Sequence, residues 1–178
     1  SQVVSANRIG VELGELAEII RQAVKLSGVR AVVALGWGQQ EAKTKDANIF
    51  YVKSVPHDWL FPHMAGAVHH GGAGTTATSL RHALPTLVVP FGGDQPFWAE
   101  RVYAAGCGPK AIPRDKLTAE NLAEGLRALI SNPEYTRNAA CIGEALRNEH
   151  GCANAADLIE KAVWDWENGN PAQDGMNI

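Results

Sequence analysis

The sequence predicts an α/β domain of the doubly wound class, a parallel sheet wrapped by helices. Three observations carry that expectation. Short apolar runs of four to six residues recur, among them RAVVAL, NIFYVK and PTLVVP, each bounded by turn residues. Between them lie stretches whose apolar residues return at helical spacing. Glycine and proline mark the junctions, and no internal repeat or low-complexity block breaks the alternation.

The elements follow in order. From Val11 to Ser27, Leu13, Leu16, Ala17, Ile20, Ala23 and Val24 share one helical face, with Glu12, Glu15, Glu18, Arg21 and Lys25 opposite. Gly28 stands where a helix stop is expected. Arg30 to Leu35 reads as a buried strand ending at Gly36-Trp37-Gly38, and Gln39 to Ala47 as a loop. Asn48 to Lys53 is the next strand, and Val55 to Met64 a loop with a short helix. Gly66 to His69 is a brief strand before a glycine-rich turn, and Thr75 to His82 a helix. Pro85 to Pro90 forms another buried strand, Pro96 to Ala105 a helix, and Pro109 to Ile112 a short strand. Three helices close the chain, Thr118 to Ser131, Pro133 to Glu149 and Ala153 to Trp166, separated by Asn132-Pro133 and Gly151. The polar, Gly/Asn-rich end reads as a frayed tail.

The opening is unusual. Such a sheet normally begins with a central strand, and Ser1 to Val4 reads as too short to be one. The expectation is therefore a chain that starts after that strand, a fragment with sheet edges exposed towards self-association.

Composition narrows the function classes. The chain has 178 residues, 46% hydrophobic and 20% charged, with a formal net charge of −3. That is enough to bury a core, and it offers no excess of positive charge to recruit nucleic acid. No apolar run approaches the ~20 residues that span a bilayer, and Ser1 to Gly10 shows no signal-peptide pattern. Three cysteines, Cys107, Cys141 and Cys152, lack CxxC spacing, against a disulfide framework or structural zinc and towards a reducing, cytoplasmic location. The six histidines show no HxxxH spacing, so no metal is expected.

The chemistry concentrates in AVHHGGAGTTA, Ala67 to Ala77. Glycines at 71, 72 and 74 let backbone N–H groups approach an anion, and the start of the following helix adds partial positive charge. This is machinery for a phosphate or diphosphate. The same residues match GxGxxG/A, with Asp94 twenty positions beyond Gly74, as a dinucleotide fingerprint would have it. An NAD-type domain is thus an alternative, although that fingerprint normally opens its domain and lacks the paired histidines. After PTLVVP comes PFGGDQPFW, where Asp94 and Gln95 suit the vicinal hydroxyls of a sugar. Ser54 to Leu60 forms a third loop at a strand end, placed to meet a nucleobase edge.

These pieces, in this order, resemble the nucleotide-sugar-binding half of the family 1 glycosyltransferases, and most of all the sterol 3-β-glucosyltransferases. The resemblance covers residues 1–130 and is strongest from His69 to Val102, HHGGAGTTATSLRHALPTLVVPFGGDQPFWAERV. It implies the Rossmann-like C-terminal half of a GT-B fold, with residues 1–166 as the donor-binding domain and 167–178 as a flexible tail. It implies UDP-glucose as donor, and a sterol or other lipid as acceptor, bound through an N-terminal domain outside this chain. Peripheral membrane contact would belong to a full-length protein.

Residue by residue, Ser1 resembles the last residue of a GFGS-like turn beside the donor. Val55, mainly through its backbone, and His57 would lie against uracil. His70, Gly72, Ala73, Gly74 and Thr75 would bind the diphosphate, and Asp94 and Gln95 the sugar. Ser54 and Thr78 depart from the plant small-molecule members, which place a base-stacking Trp and a ribose-binding Glu there. Trp37 is the candidate aromatic face for the base instead. The implied reaction inverts the anomeric centre. No DxD motif calls for a divalent metal, no cofactor is needed, and the catalytic base belongs to the other domain. A nucleotide-sugar-binding module without catalysis remains a further alternative. His69 reads as packing, bonding to a loop backbone or touching ligand. Phe97, Trp98 and Tyr103 read as packing their helix onto the sheet, Cys107 as a small buried residue, and Trp164 and Trp166 as exposed.

Overall fold

The computed structural model describes residues 2–5, 13–34 and 46–169. Five parallel strands form one sheet: β1 (Gln2–Ser5), β2 (Ala31–Ala34), β3 (Ile49–Val52), β4 (Ala67–His69) and β5 (Thr86–Val88), in the order β3-β2-β1-β4-β5. The central strand is therefore present, which corrects the expectation that it was lost. Four residues suffice because both neighbours hydrogen-bond to them: Val3 lies level with Val32 on one side and Ala67 on the other. A centre filled in this way leaves no internal edge open, so the expected route to self-association falls away.

The chain runs outward from β1 to β3 and then returns to β4 beside β1. That reversal is the topological switch point of a doubly wound sheet, and ligands bind outside the carboxyl ends of the strands there. The glycine-rich turn follows β4 directly, so the topology sets it at that crevice.

Seven α-helices are described, α1 (Leu13–Ser27), α2 (His57–Leu60), α3 (Ala73–Arg81), α4 (Gln95–Ala104), α5 (Ala119–Ser131), α6 (Pro133–Asn148) and α7 (Gly151–Glu167), with 3-10 helices at Phe61–His63 and Arg114–Lys116. Packing of α1 and α5 on the sheet makes the main core, with Ile20, Ala23 and Val24 of α1, Val33 and Leu87 of the strands, and Leu122, Leu126 and Leu129 of α5. Arg127 ties α5 to the end of α1 by donating to the Leu26 carbonyl at 3.0 Å. A second cluster joins Leu80, Val88, Ala99, Val102, Cys107 and Ala139. Burial pushes the Cys107 thiol up to about 11, which keeps it protonated and inert, as expected of a small core residue.

The segment expected as a strand at Pro109 to Ile112 is not one. Ile112 N–H donates to Val88 O and Arg114 N–H to Pro90 O, so this stretch runs beside β5. Pro109 and Pro113 have no N–H with which to continue a ladder.

By compactness the chain divides into Ser1–Leu146 and Arg147–Ile178. The second unit holds α7, along which Leu158, Ile159, Val163, Trp164 and Trp166 are exposed. Among the described residues no helix is long and apolar enough to cross a membrane.

Candidate functional site

The site grows from the end of β4. His69 is 2% exposed and His70 half-buried, their rings edge to face with centroids 6.4 Å apart. Gly71 N–H donates to His69 Nδ1 at 3.0 Å. Because an amide can only donate, Nδ1 carries no proton, and the N–H of the neutral ring sits on Nε2, facing Ser79 Oγ at 3.3 Å. Burial, with His70 and His57 nearby, pushes His69 down to about 3 and holds it neutral. His69 thus bonds to the loop backbone and pins the turn to the core.

The turn itself needs its glycines. Gly71 has φ +90°, and a Cβ there would lie 2.6 Å from Val88 Cγ1. At Gly72 a Cβ would meet His70 Nε2 at 2.7 Å, whereas at Gly74 it would point into open space. Gly72 is the N-cap of α3, which begins at Ala73, two residues before the helix start expected from sequence, and no side chain caps that end. The first-turn N–H groups of an α-helix have no partner within the helix, so those of Ala73, Gly74 and Thr75 are available to an anion.

His70 flanks this end. Its Nδ1 is buried with no hydrogen-bond partner among the described residues, an arrangement that a bound group would complete. Burial lowers its pKa, while the nearby Asp94 carboxylate pulls the other way. The structure therefore brings Asp94, from the β5–α4 loop, into electrostatic reach of the histidine beside the turn.

Asp94 is exposed and Gln95 half-buried at the start of α4. Gln95 Oε1 accepts from Phe91 N–H at 2.7 Å and Gly92 N–H at 3.2 Å. Trp98 Nε1–H donates to Asp94 Oδ2 at 2.8 Å. The expected packing of Phe97, Trp98 and Tyr103 onto the sheet is corrected here. Phe97 and Tyr103 are exposed, Trp98 bonds Asp94, and the smaller Ala99 and Val102 are buried instead. Trp98 could have been found from its spacing, since Asp and Trp four apart at a helix start share a face.

On the remaining side, Val55 packs against the Leu60, Phe61, Ala67 and Leu84 cluster. The His57 ring stacks on Phe61 at 4.6 Å and 8°. Ser54 is exposed, and the Thr78 hydroxyl donates to Gly74 O at 2.9 Å. Asp58 and His82 join α2 to the end of α3 at 3.0 Å. Ser1 and Trp37, expected beside the donor, lie outside the described residues. No group of three or more His, Cys, Asp or Glu among the described residues is arranged to hold a metal.

The geometry suits an elongated anionic ligand with a polar end: backbone donors and His70 at the centre, Asp94 and Gln95 beyond. The turn follows β4, not the opening strand, unlike a dinucleotide fingerprint.

Comparison with known proteins agrees. The family model described as the C-terminal domain of erythromycin biosynthesis protein CIII-like proteins matches residues 18–159. Two sterol 3-beta-glucosyltransferases of Arabidopsis thaliana are 42% identical over 146 residues and 39% over 148, covering 81% and 83% of this chain but 24% and 23% of their own lengths. One from Pichia angusta is 38% identical over 151 residues, covering 82% of this chain and 12% of its own. The chain thus spans a quarter or less of these relatives. Among solved structures, the calicheamicin glycosyltransferase CalG4 superposes with a TM-score of 0.78 at 21% identity, over 91% of this chain and 43% of the other. The kitacinnamycin glycotransferase gives 0.75 at 24%, over 90% and 43%. The fold is the Rossmann-like C-terminal half of a GT-B glycosyltransferase.

Proposed function

The chain belongs to the EryCIII-like C-terminal glycosyltransferase domains, and from that membership we propose that it holds UDP-glucose for transfer of glucose to a lipid hydroxyl, a sterol above all. The observation that carries the proposal is the uncapped start of α3 at the switch point, flanked by His70 and facing Asp94 and Gln95. The names of the curated relatives support glucose and sterol.

In this reading the diphosphate lies on the N–H groups of Ala73, Gly74 and Thr75, with His70 alongside. Val55 and His57 meet the uracil, and Asp94 and Gln95 hold sugar hydroxyls. An acceptor oxygen attacks the anomeric carbon as its bond to UDP breaks, inverting that centre. The acceptor proton passes to a base supplied from outside this chain. The charge that develops on UDP falls on donors already in place, which act without reorganisation and without requiring a metal. Fixed hydrogen-bond donors of this kind commonly contribute about 3–4 kcal/mol to a transition state.

Calorimetric titration of the chain with UDP, UDP-glucose and NAD tests the reading. Saturable binding of both uridine ligands, with none for NAD, is expected. NAD binding alone would restore the dinucleotide alternative. Tight UDP-glucose binding by a full-length protein that never turned over would favour a non-catalytic module.

A further inference from the structure

We propose that Trp98 is a positioning residue for sugar recognition. Its indole N–H holds one oxygen of Asp94, so that the other meets the sugar as a fixed acceptor beside the fixed donor of Gln95. The inference rests on the donor-binding reading above and names how that site selects its sugar.

One aspartate at a helix start does not cap its helix. Asp94 is the N-cap of α4, yet its side chain makes no capping bond and its backbone is helical, φ −79° and ψ −7°. An N-cap carboxylate usually accepts from the second or third N–H of the helix. Here those donors are otherwise occupied. Gln95 N–H bonds Gly92 O at 3.3 Å, Pro96 has no N–H, and Phe97 N–H bonds Asp94 O at 3.1 Å. The carboxylate is released from structural duty and stands exposed.

Trp98, one turn on, then takes Oδ2 at 2.8 Å. An indole N–H only donates, so this bond fixes the carboxylate without competing for its other oxygen. The Trp98 ring is held in turn. It meets Phe97 edge to face at 5.2 Å and 79°, and it lines the same groove of about 530 Å³ as Ala73, Gly74 and Ala77 of α3. The carboxylate is thereby oriented from the wall that also carries the phosphate-binding helix start.

Gln95 is set in the opposite sense. Two backbone N–H groups converge on Oε1, which assigns the oxygen to the loop and leaves the NH₂ without a partner among the described residues. The pair offers one carboxylate oxygen and one amide N–H, in that order along α4. A sugar fits when it places a hydroxyl proton on Asp94 and a lone pair on Gln95. Vicinal hydroxyls do both. A deoxy position leaves one protein group unpaired, and an ammonium facing Gln95 cannot accept.

Trp98→Phe keeps the ring and removes the N–H. Titration of this variant should show UDP binding within about two-fold of the parent and UDP-glucose weakened about ten-fold, the size of one lost charge-assisted bond. In an Asp94→Ala background the same substitution should add nothing, because Trp98 acts through Asp94. The Trp98 indole N–H resonance, identified by its loss in Trp98→Phe, should shift in Asp94→Asn. Unchanged UDP-glucose affinity, equal loss of both ligands, additive losses in the double variant or an unmoved resonance would each overturn the proposal. A parent chain that bound UDP with no gain from glucose would overturn this inference alone. One that bound neither would overturn the donor-binding reading and this inference with it.

Discussion

At the scale of single residues, the donor-binding reading separates groups proposed to meet phosphate from groups proposed to meet sugar. His70 stands beside the α3 start with a buried Nδ1 that has no partner among the described residues, and burial favours its neutral form. Under the donor-binding reading, His70→Ala should weaken UDP and UDP-glucose alike, by about 1–3 kcal/mol each, since both carry the diphosphate. Paired titrations check this, and a loss confined to UDP-glucose would move His70 to the sugar. Asp94→Ala should do the reverse, sparing UDP. Gly72 is constrained more tightly than Gly74. A methyl at Gly72 would press on His70 Nε2, while one at Gly74 would intrude only where a ligand approaches.

At the scale of elements, helix ends divide the work. The start of α5 is closed by a full capping box, Thr118 Oγ1 accepting from Asn121 N–H and Asn121 Oδ1 accepting from Thr118 N–H. The start of α3 has no side-chain cap at all. In α5 the cap closes a helix that anchors the core through Leu122, Leu126 and Leu129, whereas in the donor-binding reading the first-turn donors of α3 are proposed to meet a ligand. Thr118→Ala should therefore cost about 1 kcal/mol of stability, a fall in Tm of roughly 2–4 °C, with UDP affinity unchanged. Calorimetric melting beside a UDP titration reads both. A change in UDP affinity would mean that α5 reaches the site, contrary to its place with α1.

At the scale of the whole molecule, one buried histidine links the binding turn to the stability of the fold. Unfolded, an ordinary histidine takes up a proton below about 6.5, while folded His69 stays neutral down to about 3. Between those values the unfolded state binds more protons, so stability is complete above pH 6.5 and drains away as pH falls towards 3. This group should contribute a slope approaching ~1.4 kcal/mol per pH unit within the window. His69→Asn keeps an acceptor for Gly71 N–H but does not titrate, and should flatten that part of the profile. Urea melts of both proteins at pH 7 and 4.5 make the comparison. Parallel profiles would show that His69 is not the titrating link.

The sequence by itself determined the class of fold and pointed to the candidate site, because both rest on local signals. Hydrophobic period and turn residues located four of the five strands within a residue or two and the seven α-helices, but not the 3-10 helix at Arg114–Lys116. The run HHGGAGT reads as an anion turn wherever it follows a strand and opens a helix. Tertiary structure alone decided the rest. Gln2–Ser5 is too short to declare itself a strand, and becomes one because β2 and β4 offer hydrogen bonds on both sides. His69 and His70 are neighbours of one type, yet the pleat buries one as a structural acceptor and leaves the other at the crevice. Which oxygen of Asp94 is held, and which end of Gln95 turns outward, depends on a backbone loop and an indole that composition cannot orient. Period and turn chemistry are properties of neighbouring residues in the chain. The direction of a hydrogen bond is a property of neighbours in space, fixed only once the sheet and its helices have closed around it.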